Sequence, residues 1–181
     1  CLAKDLTEPY PTWDEVRANL PEPGGLGQAN RFGDGRHPFL DRDELEEIYA
    51  SWRDVFDSYD PPLFAVGETW VESHRRARYA NPAALGQAFN FDFLWNPWDP
   101  SSFRAVVEEN LRLAADAGST STWVLSNHDI IRHPTRYADS AVPPSLRINA
   151  AIPLSPAARA QGIRRGTAAT MLAFALPGSA Y

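Results

Sequence analysis

Apolar residues recur at three- and four-residue spacing between Asp41 and Tyr59, which predicts an amphipathic helix with one face toward a core. Asp41 is in position to cap this helix, and Glu44, three residues later, resembles a capping-box partner. Asp60-Pro61-Pro62 ends the helix, because proline cannot continue the helical hydrogen-bond ladder. The predicted apolar face comprises Leu45, Ile48, Tyr49, Trp52, Val55, Phe56 and Tyr59.

Two further helices are predicted by similar signals. One follows Asp99-Pro100-Ser101 and stops at Gly118, and the other begins at Ser155-Pro156, where a capping residue precedes a proline. The last helix ends at Pro177-Gly178. The second helix carries an apolar face of Phe103, Val106, Val107, Leu111 and Ala114, and the third runs through Ile163, Met171, Leu172 and Phe174.

Short runs of apolar and aromatic residues predict strands that end in polar residues. Residues 63–67 form an apolar strand that is followed directly by Glu68. Residues 87–94 alternate aromatic and polar side chains, as a strand with two unlike faces would. Residues 122–126 form a buried strand that stops at Asn127-His128-Asp129, three polar residues that a core would exclude. The last residues, 176–181, contain the beginning of a further strand.

The alternation of strands and helices indicates a parallel α/β sheet with right-handed crossovers. His74 to Tyr79 adds a short, exposed helical piece, and His133 to Ser155 is interpreted as an irregular loop. No Gly-x-Gly-x-x-Gly motif follows a strand, which disfavours a nucleotide-binding fold. Polar residues at strand ends are typical of (β/α)8 TIM barrels, which need about 250 residues. The expected fold is therefore the C-terminal half of such a barrel, incomplete in this chain.

Residues 1–41 are predicted to form a long loop after a missing strand, because prolines and glycines disfavour regular structure there. Large aromatic residues in the loop indicate packing, either over a binding site or simply over a sheet end. The remaining residues, 42–181, are assigned to αβ units of the same catalytic domain, with no second domain. The first residue is Cys1 and the single Met is Met171, so the chain is expected to be an internal fragment.

Composition limits the classes of partner. A net charge of −6 with mixed signs argues against binding to nucleic acid or to an anionic membrane. A single Cys excludes an intrachain disulfide framework and suits a reducing compartment, so we expect a cytoplasmic location. All but one of the 17 basic residues are Arg, which together with abundant Ala indicates a GC-rich bacterial genome.

Two carboxylates, Glu68 and Asp129, follow different predicted strands about sixty residues apart. In a parallel barrel both would point into one mouth, and paired carboxylates in a sugar-sized cleft are what glycoside hydrolysis requires. Aromatic residues nearby, Trp70, Phe91 and Trp123, could stack on sugar faces, and His128 could bind hydroxyl groups.

Structural interpretations of the same residues remain open. Glu68 could simply bind a helix N-terminus, and His128 with Asp129 could be a satisfied structural pair. The aromatic residues near strand ends could belong to the core. A two-histidine metal site formed by His128 and His133 has no further spaced ligand and is not predicted.

Two segments, Phe64-Ala-Val-Gly-Glu-Thr-Trp70 and Ser126-Asn-His-Asp129, resemble signature regions of the alpha-amylase superfamily of glycoside hydrolases. Arg132, three residues after Asp129, resembles the Asn-His-Asp-x-x-Arg form of the alpha-glucosidase and oligo-1,6-glucosidase branch. Residues 37–43, 89–92 and 175–181 are similar to bacterial alpha-glucosidases as well. The resemblance covers nearly the whole chain.

This resemblance implies a retaining alpha-glucosidase of carbohydrate metabolism that cleaves terminal alpha-glucosidic bonds of short oligosaccharides such as maltose or isomaltose. It implies that Glu68 is the general acid/base and that Asp129 stabilises the oxocarbenium-like transition state. His128 would bind hydroxyls of the same glucose, Arg132 would close the pocket, and substrate contacts are assigned to Asn127, Trp70 and Phe91. No cofactor and no metal is implied.

The nucleophile of the family is an Asp in an Arg-x-Asp-x-x-His segment, which lies shortly before the stretch that residues 1–5 resemble. We therefore expect this chain alone to be inactive. Related glucosyltransferases and isomerases such as trehalose synthase would share Glu68, His128 and Asp129, and remain an alternative. The alternative outside the enzymes is a relative that binds sugar and has no catalytic activity.

Overall fold

The computed structural model describes residues 41–139 and 152–181. The chain divides into two units, residues 1–45 and residues 46–181, and almost all described residues belong to the second. The loop predicted for residues 1–40, and residues 140–151 of the predicted loop before the last helix, lie outside the described residues.

Strands and helices alternate along the described residues, as the sequence predicts. Asp99 and Ser155 cap the two longest helices by accepting hydrogen bonds from the backbone N–H groups of Ser102 and Ala158, at 2.7 and 3.2 Å. In chain order the elements are α1 (Leu45–Asp57), β1 (Ala65–Gly67), α2 (Ser73–Ala80), β2 (Gly86–Asn90), α3 (Phe91–Trp95), α4 (Pro100–Asp116), β3 (Thr122–Trp123), α5 (His133–Arg136), α6 (Pro156–Ala175) and β4 (Ser179–Ala180).

The four strands form one parallel sheet in the order β1-β2-β3-β4. Gly67 pairs with Ala88, Asn90 with Trp123, and Trp123 with Ala180. Because all strands run in the same direction, their carboxyl ends share one edge of the sheet. This arrangement confirms a mixed α/β fold with a parallel sheet, and closure into a (β/α)8 barrel stays a prediction.

Two apolar clusters fill the interior of the second unit. One joins Trp123 of β3 to Phe93, Phe103 and Tyr137, together with small residues of α6. The indole N–H of Trp123 donates to the Pro177 carbonyl at 2.8 Å, which fixes the turn before β4. The second cluster comprises Phe89, Phe91, Leu94, Val124 and Ile130.

The first predicted helix is shorter and less buried than its pattern suggests. It begins at Leu45 rather than after a cap at Asp41, whose positive φ of 50° is incompatible with a conventional N-cap. Glu44 forms an ion pair with Arg42 instead of completing a capping box. None of the residues of α1 is buried, and Tyr49 provides its aromatic contact with α2 by packing on Tyr79 at 5.8 Å.

Three predicted strands are shorter than expected, and β1 comprises only Ala65–Gly67 instead of residues 63–67. β2 ends at Asn90, whose side chain accepts a hydrogen bond from the Phe93 backbone N–H at 3.1 Å and so starts α3. β3 comprises only Thr122–Trp123, although Val124 and Leu125 remain buried. Beyond the strand, the carbonyl of Leu125 is bound by the Arg136 side chain at 2.6 Å rather than by a neighbouring strand.

Two local predictions on helices also need correction. The helical piece near His74 is α2, and it is not uniformly exposed because Arg75, Arg76 and Tyr79 are buried. The segment after His133 is not wholly irregular, since it opens with the short helix α5.

Helix α6 is buried through its smallest residues. Gly162, Gly166, Ala169 and Ala173 face inward, and a Cβ added at Gly162 would clash with the carbonyl oxygen of Pro134 in α5. Three larger apolar residues of the helix point outward, whereas Leu172 packs against the cluster around Trp123. Ile163, Met171 and Phe174 are 56%, 69% and 75% exposed.

Candidate active site

Glu68 follows β1 directly and lies at the carboxyl edge of the sheet, where its side chain is exposed. Its Oε1 atom accepts a hydrogen bond from Nδ2 of Asn127 at 2.9 Å. Asn127 lies four residues beyond β3, so this bond joins two segments that are about sixty residues apart in sequence. The bond brings these two segments together at one edge of the sheet, and the prediction that Glu68 and Asp129 point into one mouth stays a prediction.

Asn127 is almost fully enclosed, with 6% of its surface exposed. Its Oδ1 atom accepts the backbone N–H of Asp129 at 3.1 Å while its Nδ2 atom donates to Glu68. The orientation of the amide follows from chemistry, because a backbone N–H requires an acceptor and a carboxylate requires a donor. Asn127 is thus a bridge between the carboxylate of Glu68 and the backbone at Asp129.

The next two side chains project into solvent. His128 and Asp129 have 76% and 54% of their side-chain surface exposed, and His128 Nε2 lies 3.7 Å from Asp129 Oδ1. This separation exceeds a hydrogen bond, so the two groups do not satisfy each other. Arg132 is exposed as well and immediately precedes α5. The three side chains are accessible to a ligand.

The aromatic residues predicted near the strand ends differ in accessibility. Trp70 stacks on Phe91 with ring centroids 3.8 Å apart and planes 6° from parallel. Trp70 retains 37% exposure, whereas Phe91 and Trp123 have 5% and 0%. Trp123 is therefore a core residue and not a stacking surface. Phe91 supports Trp70 from one side, and its own contact with a sugar stays a prediction that this burial does not favour.

Ser126 and His133 hold the turn that carries Asn127, His128 and Asp129. Ser126 Oγ accepts the backbone N–H of His133 at 2.9 Å and lies 2.9 Å from its ring Nδ1. Since that oxygen already accepts one proton, its own hydroxyl can donate to a neutral Nδ1. The two ends of the turn are thereby joined through one hydroxyl group.

The imidazole of His133 is kept neutral by its surroundings. Burial lowers its pKa from the ordinary value of 6.5 to about 4, and the positive charges of Arg136 and Arg132 act in the same direction, while the Gly166 backbone opposes them. Its Nε2 atom lies 3.5 Å from Thr170 Oγ1 of α6. Because each ring nitrogen faces a hydroxyl group, His133 is occupied within the fold and is not placed as a metal ligand beside His128.

Arg136 is the buried cation of this region. Its guanidinium donates to the carbonyls of Ile131, Leu94 and Leu125 at 2.9, 2.7 and 2.6 Å. Burial lowers the pKa of Arg136 from its usual range. The side chain therefore joins the end of β3, the end of α3 and the segment that leads into α5.

Ser126 and His133 are residues of this site for which the sequence predicts no role. A hydroxyl group and a histidine seven residues apart have no recognised spacing signature, so the pair was not visible before the fold placed them together. Within residues 41–139 and 152–181, no three His, Cys, Asp or Glu side chains are grouped to hold a metal ion. In the same residues, no helix has the length and apolarity to cross a membrane.

The chain was compared with protein families, curated proteins and solved structures. No protein-family model matches the chain, and no curated protein matches it. Among solved structures, the chain is similar to the crystal structure of the alpha-glucosyl transfer enzyme XgtA, with 24% identity and a TM-score of 0.44. The match covers 60% of this chain and 22% of that one, so the chain corresponds to less than a quarter of its length. A likeness of this extent does not assign the chain to a family.

Proposed function

We propose that this chain carries the acid/base and one transition-state-stabilising carboxylate of a retaining glycoside hydrolase for terminal alpha-glucosidic bonds of short oligosaccharides. In this proposal the chain is the C-terminal half of a (β/α)8 catalytic domain. Glu68 is the general acid/base, and Asp129 is the stabilising carboxylate. His128 and Arg132 bind the terminal glucose, and Trp70 offers a ring face beside them.

The observation that carries the proposal is the hydrogen bond between Glu68 and Asn127. It brings the end of β1 together with the turn that presents His128 and Asp129, although the two are far apart in sequence. Both carboxylates remain accessible while the side chain between them is buried. A structural carboxylate would be expected to bind a helix N-terminus, whereas Glu68 binds a side chain from the neighbouring polar turn.

The chemistry assigned to Glu68 has two steps. It gives its proton to the glycosidic oxygen as the bond from that oxygen to C1 breaks. The nucleophile implied by the resemblance forms a covalent bond to C1, and the protonated sugar leaves. Glu68, now ionised, removes a proton from water as water displaces the nucleophile and releases glucose. Asp129 is suited to stabilise the positive charge that develops on the ring, because it projects a carboxylate into open space.

The test is Glu68→Gln in the complete gene product, produced from its natural start codon. Gln keeps the shape of Glu and cannot transfer a proton, so kcat on maltose should fall by about 10²- to 10⁴-fold while maltose binding persists. Glu72→Gln is the matched control, since Glu72 is exposed and its side chain does not cap α2. An equal loss in both variants, or no loss at Glu68, contradicts the proposal.

The same assay separates the alternatives. A glucosyltransferase or isomerase converts maltose or sucrose mainly into new sugars rather than into free glucose, which product analysis by chromatography detects. A sugar-binding protein without catalysis binds maltose and shows no turnover in the unchanged protein. Release of glucose as the main product supports the hydrolase.

A further inference from the structure

We infer that Asn127 is a positioning residue that holds Glu68 for proton transfer, and that its direct partner is the enzyme rather than the sugar. This inference rests on the proposed function of Glu68. It replaces the expectation that Asn127 contacts the substrate. In this inference Asn127 acts on the substrate only through Glu68.

The hydrogen bonds of Asn127 leave little of the side chain for a ligand. One of its two N–H donors is used by Glu68, and its oxygen accepts the Asp129 backbone N–H, at 2.9 and 3.1 Å. With 6% exposure, the residue has almost no surface to offer. A side chain that binds a sugar hydroxyl needs a free donor or acceptor facing solvent, as His128 and Asp129 have.

The side-chain conformation of Glu68 must be fixed by another residue, because its own surroundings restrict it little. It is exposed and follows a strand of only three residues, so its backbone does not restrict the side-chain rotamers strongly. A single donor of fixed direction selects the rotamers in which Oε1 faces Asn127, which leaves Oε2 as the oxygen available to a substrate. Proton transfer requires the acid within hydrogen-bond distance of the leaving oxygen, so this selection bears directly on rate.

Asn127 is itself held in place by contacts on both sides of it in the sequence. On one side, the Asx-type bond to Asp129 fixes the turn. On the other side, Ser126 binds the backbone and ring of His133, which in turn packs against α6 near Thr170. Asn127 is therefore carried by a rigid loop, and its position relative to Glu68 is set by the sheet.

Two variants remove the hydrogen-bond donor that faces Glu68 while they keep an acceptor for the turn at Asp129. Asn127→Asp keeps an oxygen for the Asp129 N–H and replaces the donor by a negative charge that faces Glu68. Asn127→Ser keeps a hydroxyl that can accept within the turn and is too short to reach Glu68. Asn81→Asp is the matched control, because Asn81 also accepts a backbone N–H two residues on, from Ala83 at 2.8 Å, and is exposed.

The readout is the dependence of kcat/KM on the leaving group in the complete gene product. Maltose requires protonation of its leaving oxygen, whereas alpha-glucosyl fluoride leaves with little assistance from an acid. Both Asn127 variants should lower kcat/KM for maltose by about 10- to 100-fold and that for the fluoride by less than about 3-fold. Glu68→Gln should show the same selectivity with a larger loss, and Asn81→Asp should match the unchanged protein.

An equal loss on both substrates would overturn the inference, because damage to folding or to sugar binding does not distinguish leaving groups. Absence of any loss on maltose would overturn it as well. Failure of the proposed function is a separate result, namely that the unchanged protein turns over neither substrate.

The contact itself is tested without turnover by ¹H–¹⁵N spectra of the Asn127 side-chain amide in the complete gene product. Its resonances should move on Glu68→Gln and stay in place on Glu72→Gln. If they do not move on Glu68→Gln, Asn127 does not hold Glu68, and the inference fails whatever the assays show.

Discussion

Ser126 Oγ accepts the backbone N–H of His133 at 2.9 Å and lies at the same distance from the Nδ1 atom of that histidine. One hydroxyl group thus closes the loop that begins at the end of the β3 segment and returns to α5. Asn127, His128 and Asp129 all lie inside this loop. The geometry of the candidate site therefore depends on a pair of residues outside it.

The burial of His133 makes stability dependent on pH. In the folded protein the pKa of His133 is about 4, below its ordinary value of 6.5, so between these pH values the unfolded chain binds a proton that the folded protein does not. Stability is therefore fully present above pH 6.5 and is lost as pH falls toward 4. The expected contribution of His133 is a loss of about 1–3 kcal/mol over that range, at about 1.4 kcal/mol per pKa unit.

Urea unfolding of the unchanged chain and of His133→Gln, measured at pH 7 and pH 4.5, tests this prediction. Gln retains a polar side chain and does not titrate, so the variant should lose less stability between the two pH values than the unchanged chain. Carboxylates titrate in both proteins and cancel in the comparison. Equal losses would show that the buried imidazole does not determine the difference.

Arg136 gives a second prediction, since its guanidinium serves three carbonyl groups. Arg136→Lys keeps the charge but cannot reach three acceptors with the same planar geometry. Buried carbonyls at Leu94, Leu125 or Ile131 would lose their donor, and we expect a destabilisation of about 2–4 kcal/mol. Arg104→Lys is the control, because the Arg104 side chain is 78% exposed and pairs with Glu108 at 3.8 Å. Comparable melting temperatures for the two variants would refute the role of Arg136.

The contact between α5 and α6 gives a third prediction, with a rank order. Gly162→Ala should destabilise the chain by about 1–3 kcal/mol, although alanine favours a helix more than glycine does. The new methyl group meets the carbonyl oxygen of Pro134 and lies 2.8 Å from the Ala138 Cβ. Gly166→Ala should cost less, because its nearest neighbour is the Pro134 Cγ at 2.9 Å, which is farther away than the backbone oxygen that a methyl group at Gly162 meets.

Thr167→Ala is the control for both glycine variants, since Thr167 is exposed on the same helix. Thermal unfolding should show no loss there, because helix propensity favours alanine by a few tenths of a kcal/mol. If Gly162→Ala raised the melting temperature as Thr167→Ala does, the close approach of α5 and α6 would be refuted.

The sequence predicts the order of elements well because its signals are local. Asp99 and Ser155 are followed by proline and by helical periodicity, and both cap helices as expected. Gly118 and Gly178 stand where chain reversals require positive φ, at 61° and 116°. The placement of Glu68 after β1 also follows from a local signal, an apolar run that ends in a charge.

Side-chain burial is less predictable because it depends on neighbours that are distant in sequence. Periodicity assigns Trp52 and Val55 to a core face, yet both remain about half exposed, at 45% and 56%. Phe91 and Asp92 alternate like strand residues, but Asn90 captures the Phe93 N–H and converts the segment into a helical turn. Asn127 was assigned to substrate from its motif, whereas its hydrogen bonds to Glu68 and Asp129 could only be found in three dimensions.

The inverted packing of α6 has a consequence for how this protein can vary. A survey of all single substitutions would ordinarily find the greatest sensitivity at large apolar residues of a helix. Here Phe174 and Met171 project outward and should accept many replacements, whereas Gly162 and Ala173 should accept few, since Gly162 has no room for a Cβ and Ala173 is buried in the core. In α6 the exposed large apolar residues would therefore tolerate substitution better than the small ones. The smallest residues of the helix would be the ones that the fold constrains most.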